Sequence, residues 1–179
     1  MKYKDENGNW KELYLKSGGD TLPIGTIVEY NGTEVPGGYE KVQQSEATYL
    51  SVNATGSSQS FTAGTYQVIQ FKTVESDTKN GWNSSTYTYT IPEDGWYYIY
   101  TSLEFSVGGT SRTVCRIEKN GSAIRYGINQ IKNMSGSSQL MEIRYCAKGE
   151  QYRIQAKCDD IASTLTAGVS SFFQIFKIK

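Results

Sequence analysis

The chain has 179 residues, with 18 Lys plus Arg against 18 Asp plus Glu and no histidine. That length suits one domain with a substantial core and a short extension, and the balanced charge offers neither a basic stripe for nucleic acid nor an acidic tail. No apolar run nears the ~20 residues of a membrane span, and the absence of histidine excludes Ser-His-Asp and Cys-His catalysis.

Hydrophobic content is 37 %, with Gly, Ser, Thr and Tyr abundant. This is the mix of an all-β chain with many turns. The start, MKYKDENGNW, is polar and does not read as a secretion signal, so the expectation is a product that stays in the cytosol or is assembled there. In chain order, residues 1–16 read as a hairpin around Asn7-Gly8-Asn9. Ser17-Gly18-Gly19-Asp20 reads as a flexible joint, and Leu22–Tyr30 as a short strand before the turn Asn31-Gly32. Pro36-Gly37-Gly38-Tyr39 closes a segment, residues 1–45, too short and too turn-rich to bury much core alone. It is expected to lean on a partner and to serve for attachment.

From residue 46 the predicted strands lengthen. They cover 49–54, 66–75, 86–91, 95–107, 112–119, 123–126, 139–147, 151–158 and 169–179, with loops at 55–63, 76–85, 129–138 and 159–168. Asn120-Gly121 is the strongest hairpin signal. Turn signals every 8–12 residues predict an antiparallel sandwich without helices. The organising strand follows Ile91-Pro92-Glu93-Asp94-Gly95. Its alternation sends Tyr97, Ile99, Thr101, Leu103, Phe105 and Val107 to one face and Trp96, Tyr98, Tyr100, Ser102, Glu104 and Ser106 to the other. In the last strand, Phe173 and Ile175 fall on one face, and Phe172, Phe176 and Ile178 on the other. A strand apolar on both faces is not wet on either. Either a cover within the chain or a second copy buries it; a single sandwich has its outer face in water, so burial between copies is the favoured reading, with Trp96, Tyr98, Tyr100, Phe172, Phe176 and Ile178 as the predicted contacts.

Cys115, Cys146 and Cys158 have no paired spacing and read as buried thiols, and zinc is not expected without histidine or Cys-x-x-Cys. The Asn-x-Ser/Thr triplets at Asn31, Asn53, Asn83 and Asn133 read as turn chemistry. The pairs Glu93-Asp94 and Asp159-Asp160 sit in predicted turns in water. No phosphate loop follows any Gly-Gly pair, and no cofactor is expected. Trp82, Tyr87 and Tyr89 flank the loop before the organising strand. They are candidate ligand contacts for a glycan or a protein, the alternative being packing across a subunit boundary.

Over roughly residues 66–179 the order of motifs resembles the trimeric jelly roll shared by tumour necrosis factor and the globular head of complement subcomponent q. The motifs are Thr86-Tyr87-Thr88-Tyr89-Thr90-Ile91-Pro92 leading through Gly95 to Trp96-Tyr97-Tyr98-Ile99, then Ile117 to Asn120-Gly121, Ala147-Lys148-Gly149-Glu150, and Ser170-Ser171-Phe172-Phe173. The resemblance implies a homotrimer and a jelly-roll domain over 46–179. With no catalytic arrangement in the sequence, no enzymatic activity is expected; a carbohydrate-active enzyme would need a spatially paired Asp/Glu. Some members of that superfamily bind calcium through loop carboxylates, which makes Asp159 and Asp160 an alternative metal site. Leu22-Pro23-Ile24-Gly25-Thr26-Ile27-Val28 with Pro36-Gly37-Gly38-Tyr39 resembles a module at the base of tailed-bacteriophage appendage proteins. That likeness implies a virion head fibre or tail protein. Residues 1–45 would be held by capsid or tail proteins, and the jelly roll would reach a host-surface glycan or protein. Decoration of the virion without a ligand, and a non-viral trimeric adhesion or spore-surface module, are the alternatives.

Overall fold

The computed structural model describes the backbone of Lys2–Lys4, Trp10–Lys16, Ile27–Tyr30 and Tyr39–Lys41, and all of 47–56, 58–132 and 135–179. The chain divides into two compact units, Met1–Glu46 and Ala47–Lys179. In the first, β2 (Trp10–Lys16) pairs antiparallel with β1 (Lys2–Lys4), β3 (Ile27–Tyr30) and β4 (Tyr39–Lys41). Lys4 stands opposite Trp10, which makes β1 and β2 the arms of the predicted hairpin. The Asn7-Gly8-Asn9 turn, the 17–20 joint, the Asn31-Gly32 turn and residues 36–38 lie outside the described residues, as does Asn133.

The second unit is all strand and turn. β5 (Tyr49–Asn53), β6 (Gln59–Phe61), β8 (Thr73–Asp77), β11 (Gly95–Val107), β14 (Ser135–Cys146), β16 (Ser163–Leu165) and β17 (Phe172–Lys177) form sheet I, with β14, β11, β17, β5 and β8 side by side. Sheet II holds β13 (Ser122–Lys132), β12 (Thr110–Lys119), β15 (Gln151–Cys158), β10 (Thr88–Thr90) and β9 (Trp82–Asn83) in that order, with β7 (Gln67–Val68) also on β15. From β10 onward the chain passes between the sheets, staying within one sheet only at the β12–β13 hairpin and from β16 to β17. This is the connectivity of a jelly roll. That hairpin turns on Asn120 (φ 50) and Gly121 (φ 81), the two positive φ angles a type I′ turn needs.

The inward faces meet in one core. The predicted inner face of β11 is buried throughout, from Tyr97 to Val107. Phe71 stacks on Phe173 at 5.9 Å and Phe61 meets Phe105 edge-on at 5.5 Å. All three thiols are buried. Asn53 is buried, and Asn83 Oδ1 accepts from the Ser85 and Thr86 amides, a local turn.

Several predicted bounds give way. The single strand over 66–75 is two short ones, β7 on sheet II and β8 on sheet I. The loops at 55–63, 129–138 and 159–168 contain β6, the ends of β13 and β14, and β16. The first two stretches are rich in Ser, Gln or Asn and the third in Asp, Thr and Ala, so no side-chain pattern announces them. What makes them strands is the unused hydrogen-bonding edge of a longer neighbour: β14 follows β11 from Gly95 to Ser106.

Candidate functional site

The outer face of sheet I is built from rows of side chains that the ladder brings level. One row runs Ile143, Tyr98, Phe176, Tyr49 across four strands. A second pairs Tyr145 with Trp96, and a third places Met141 beside Tyr100, Gln174 and Ser51. The rings interlock. Tyr98 lies 4.9 Å from Phe176 between centroids, Tyr100 meets Phe172 edge-on at 5.2 Å, and Trp96 meets Tyr145 edge-on at 6.1 Å. Gln174 Nε2 donates to Tyr49 Oη and Ser51 Oγ, which seats the one amide in the middle of the face.

This face is open. Trp96 is 46 %, Met141 62 %, Ile143 57 % and Tyr145 54 % exposed, while Tyr98, Tyr100, Phe172 and Phe176 are half-buried by one another. β14 reverses the ordinary alternation. Its apolar Met141, Ile143 and Tyr145 face outward, while Glu142, ion-paired to Arg125, and Arg144, over the Tyr152 ring at 6.0 Å, take the other side. Isolated apolar residues on a surface need no explanation, but a contiguous patch across four strands marks an interaction site. Below Tyr100 the face turns polar, into a depression lined by Tyr100, Ser102, Glu104, Ser137, Gln139 and Phe172.

Five of the six predicted interface residues, Trp96, Tyr98, Tyr100, Phe172 and Phe176, stand together here, and Ile178 (49 % exposed) follows β17 with its amide on the Trp96 carbonyl at 2.8 Å. Sequence reasoning missed Tyr49, Met141, Ile143 and Tyr145. Their alternation is plain in the sequence, but only the ladder register puts them beside Tyr98.

The ligand-contact trio fares differently. Tyr89 is fully buried, a correction with a simple cause. It stands opposite Tyr152, directly opposed residues share a face, and Tyr152 lies in the core. Burial, first, and then nearby Asp77 push its hydroxyl well above the ordinary tyrosine range. Trp82 is not on a free loop. It lies in β9 and packs on Phe71 (6.5 Å) and Phe173 (6.2 Å) as a cover for the core. Tyr87, half-buried at φ 53, touches that cover at 6.5 Å. The alternative metal pair is also corrected. Lys157 Nζ holds Asp159 Oδ1 at 2.6 Å and Arg112 Nε holds Oδ2, so two cations already occupy that carboxylate and depress its pKa. Among the described residues, no group of three or more His, Cys, Asp or Glu side chains is placed to hold a metal ion.

Along β12 and β15 the outer face of sheet II is charged and closed on itself, whereas its β13 edge leaves Tyr126 and Ile128 exposed. Glu118, 3 % exposed at its side chain, accepts from Arg116 at 2.8 Å and from Arg153 at 2.6 Å. Arg116 also donates to Gln155 and lies 3.8 Å over the Tyr66 ring.

The same architecture occurs in solved structures. The fold is the jelly roll of tumour necrosis factor and complement-q heads. The globular domain of zebrafish complement 1qA matches with a TM-score of 0.56 at 15 % identity, over 74 % of this chain and 98 % of its own. Murine APRIL, solved at pH 5.0, matches with a TM-score of 0.56 at 13 % identity, over 74 % of this chain and all of its own (100 %). Eiger TNF from S. frugiperda matches with a TM-score of 0.56 at 10 % identity, over 74 % of this chain and 93 % of its own. No protein-family model matches the chain, and no curated protein matches it in sequence.

Proposed function

We propose that this chain is a non-enzymatic structural subunit that forms a homotrimer through the outer face of sheet I and displays its jelly roll from a larger particle. The observation that carries the reading is the interlocked aromatic face, open across four strands while the middle of the opposite face, around Glu118, is ion-paired. Burying such a face stabilises association at about 25 cal/mol per Å² of apolar surface before the entropic cost of association. The particle is a tailed-phage virion, with residues 1–45 held by capsid or tail proteins; the likeness of Leu22–Val28 and Pro36–Tyr39 to phage appendage bases supports this. The task is attachment to a host-surface glycan or protein, in which three copies multiply weak contacts through effective concentration.

Sedimentation of the full chain at micromolar concentration tests the assembly: a trimer is expected, and a monomer overturns it. Particles produced with a chain lacking residues 1–45 are expected to lack the subunit. A second reading, decoration without a ligand, gains from the placement of Trp82, Tyr87 and Tyr89 against or within the core. Whole-cell and glycan-array binding by the full chain separates the two, and no binding to any plausible host favours decoration.

A further inference from the structure

A trimer cannot be made by pressing one face against its own copy, because a self-complementary contact closes at two. A ring of three needs two different surfaces, one docking on the other. β13 supplies the second. It is the edge of sheet II, pairing only with β12 among the described residues, and its outward residues include Tyr126 (52 % exposed) and Ile128 (63 %), then Gln130 and Lys132.

Charge supplies the register. Every carboxylate between residues 47 and 179 except Glu104 accepts a hydrogen bond or an ion pair. Glu104 has no side-chain partner among the described residues, although it is half-buried in the depression at the end of the aromatic face. Covering that face would strip water from an unpaired carboxylate, which is costly unless a cation arrives with the cover. Lys132 is exposed at the end of the β13 edge, with no carboxylate on it among the described residues. The levels agree. Glu104 stands opposite Ser137, the neighbouring Gly136 packs on Ile131, and Lys132 follows Ile131. A rotation axis running along the strands keeps each level from copy to copy. It brings Lys132 to within about two residues, ~7 Å, of Glu104 along the strand direction, a gap the lysine stem spans.

We infer that the depression around Glu104 is the socket for the β13 edge of a second copy, with Lys132 Nζ on the Glu104 carboxylate. This rests on the trimer reading and adds to it which surfaces mate.

Charge exchange in the full chain tests it, read by sedimentation over a concentration series with thermal melts as the folding control. Glu104→Lys and Lys132→Glu each set like charges together and are expected to weaken the trimer about a hundredfold. The double exchange is expected to restore it to within about threefold. Glu104→Cys with Lys132→Cys, oxidised, is expected to give a covalently closed trimer on a denaturing gel, which also covers the case in which a charge variant folds poorly. A wild-type trimer indifferent to both single changes, or lost in both and not restored by the exchange, overturns the pairing and leaves the trimer standing. A wild-type monomer overturns both.

Discussion

The two outward faces of this sandwich are made on the same plan and finished in opposite ways. On sheet II, every long polar side chain around Glu118 has a partner within the chain, and Tyr66 is covered by Arg116 and by Lys157 at 5.0 Å. On sheet I, the rings of Tyr98, Tyr100, Phe172 and Phe176 meet one another, Trp96 meets Tyr145, and all then stop at solvent. A cluster whose groups are all paired, like that around Glu118, has nothing to gain from a partner; a face of half-covered rings does. The contrast teaches that the informative quantity is the number of groups left uncompleted, not how polar a surface is. Hence Glu104, a polar residue at one end of the aromatic face, weighs as much as the tryptophan at the other.

The contrast can be broken from either side. The largest effect is expected from Tyr98→Asp, which puts a charge at the middle of the aromatic rows. Association should weaken more than a hundredfold, roughly the cost of burying an unpaired charge, while the melt of the dissociated chain changes little. Equal loss of folding would mean that Tyr98 serves the fold alone. On the other face, Glu118→Ala leaves Arg116 and Arg153 without their shared carboxylate and should destabilise the fold by about 2–3 kcal/mol in chemical denaturation, with association unchanged. Ile143→Ser touches only the exposed part of β14, so about a tenfold weaker association is expected from the lost apolar area, with stability within about 0.5 kcal/mol of wild type. Inversion of these last two results would reverse the roles assigned to the faces.

The smallest effect concerns pH. With no histidine, no side chain has an ordinary pKa in the range that imidazole would cover, so the melting temperature should be nearly flat between about pH 5 and pH 8. Below that range, Asp159, held low by Lys157 and then Arg112, and Glu93, held low by its hydrogen bond from Thr48 and then by Lys177, act together. Their folded values lie below the unfolded ones. Their stabilisation is therefore present above the ordinary carboxylate range and is lost as pH falls through the depressed values. Above the plateau, burial pushes the Cys115 thiol up to about 11 and the Tyr97 hydroxyl up to about 12. Their neutral forms are favoured in the fold, so stability is full below the ordinary thiol and tyrosine ranges and is lost as pH rises through the raised values. A step in the melting temperature inside the plateau would point to a side chain whose pKa the fold moves into that range.

Much of this molecule is legible in the chain where side chains alternate strongly. β11 reads correctly along its whole length because six inward positions from Tyr97 to Val107 match one face of a pleated strand. The last strand also reads correctly as doubly apolar, and its two faces are the core and the open aromatic surface. Legibility fails where a residue's direction depends on a partner strand. Tyr89 looks like a loop aromatic until it is set opposite Tyr152. Asp159 looks like a free oxygen ligand until Lys157 and Arg112 close on it. Met141, Ile143 and Tyr145 share a visible alternation, but their direction follows from which face of β11 they extend.

By itself, then, the sequence determined the class of fold, the all-β alternation, the Asn120-Gly121 hairpin and both aromatic faces of the last strand. These follow from local geometry, in which each residue's side is set by the one before it. Tertiary structure alone decided which strands pair, that β14 turns its apolar side outward, and that Glu104 has no side-chain partner among the described residues. Those outcomes depend on hydrogen-bond ladders between residues far apart in the chain, and no local pattern encodes the register of a ladder.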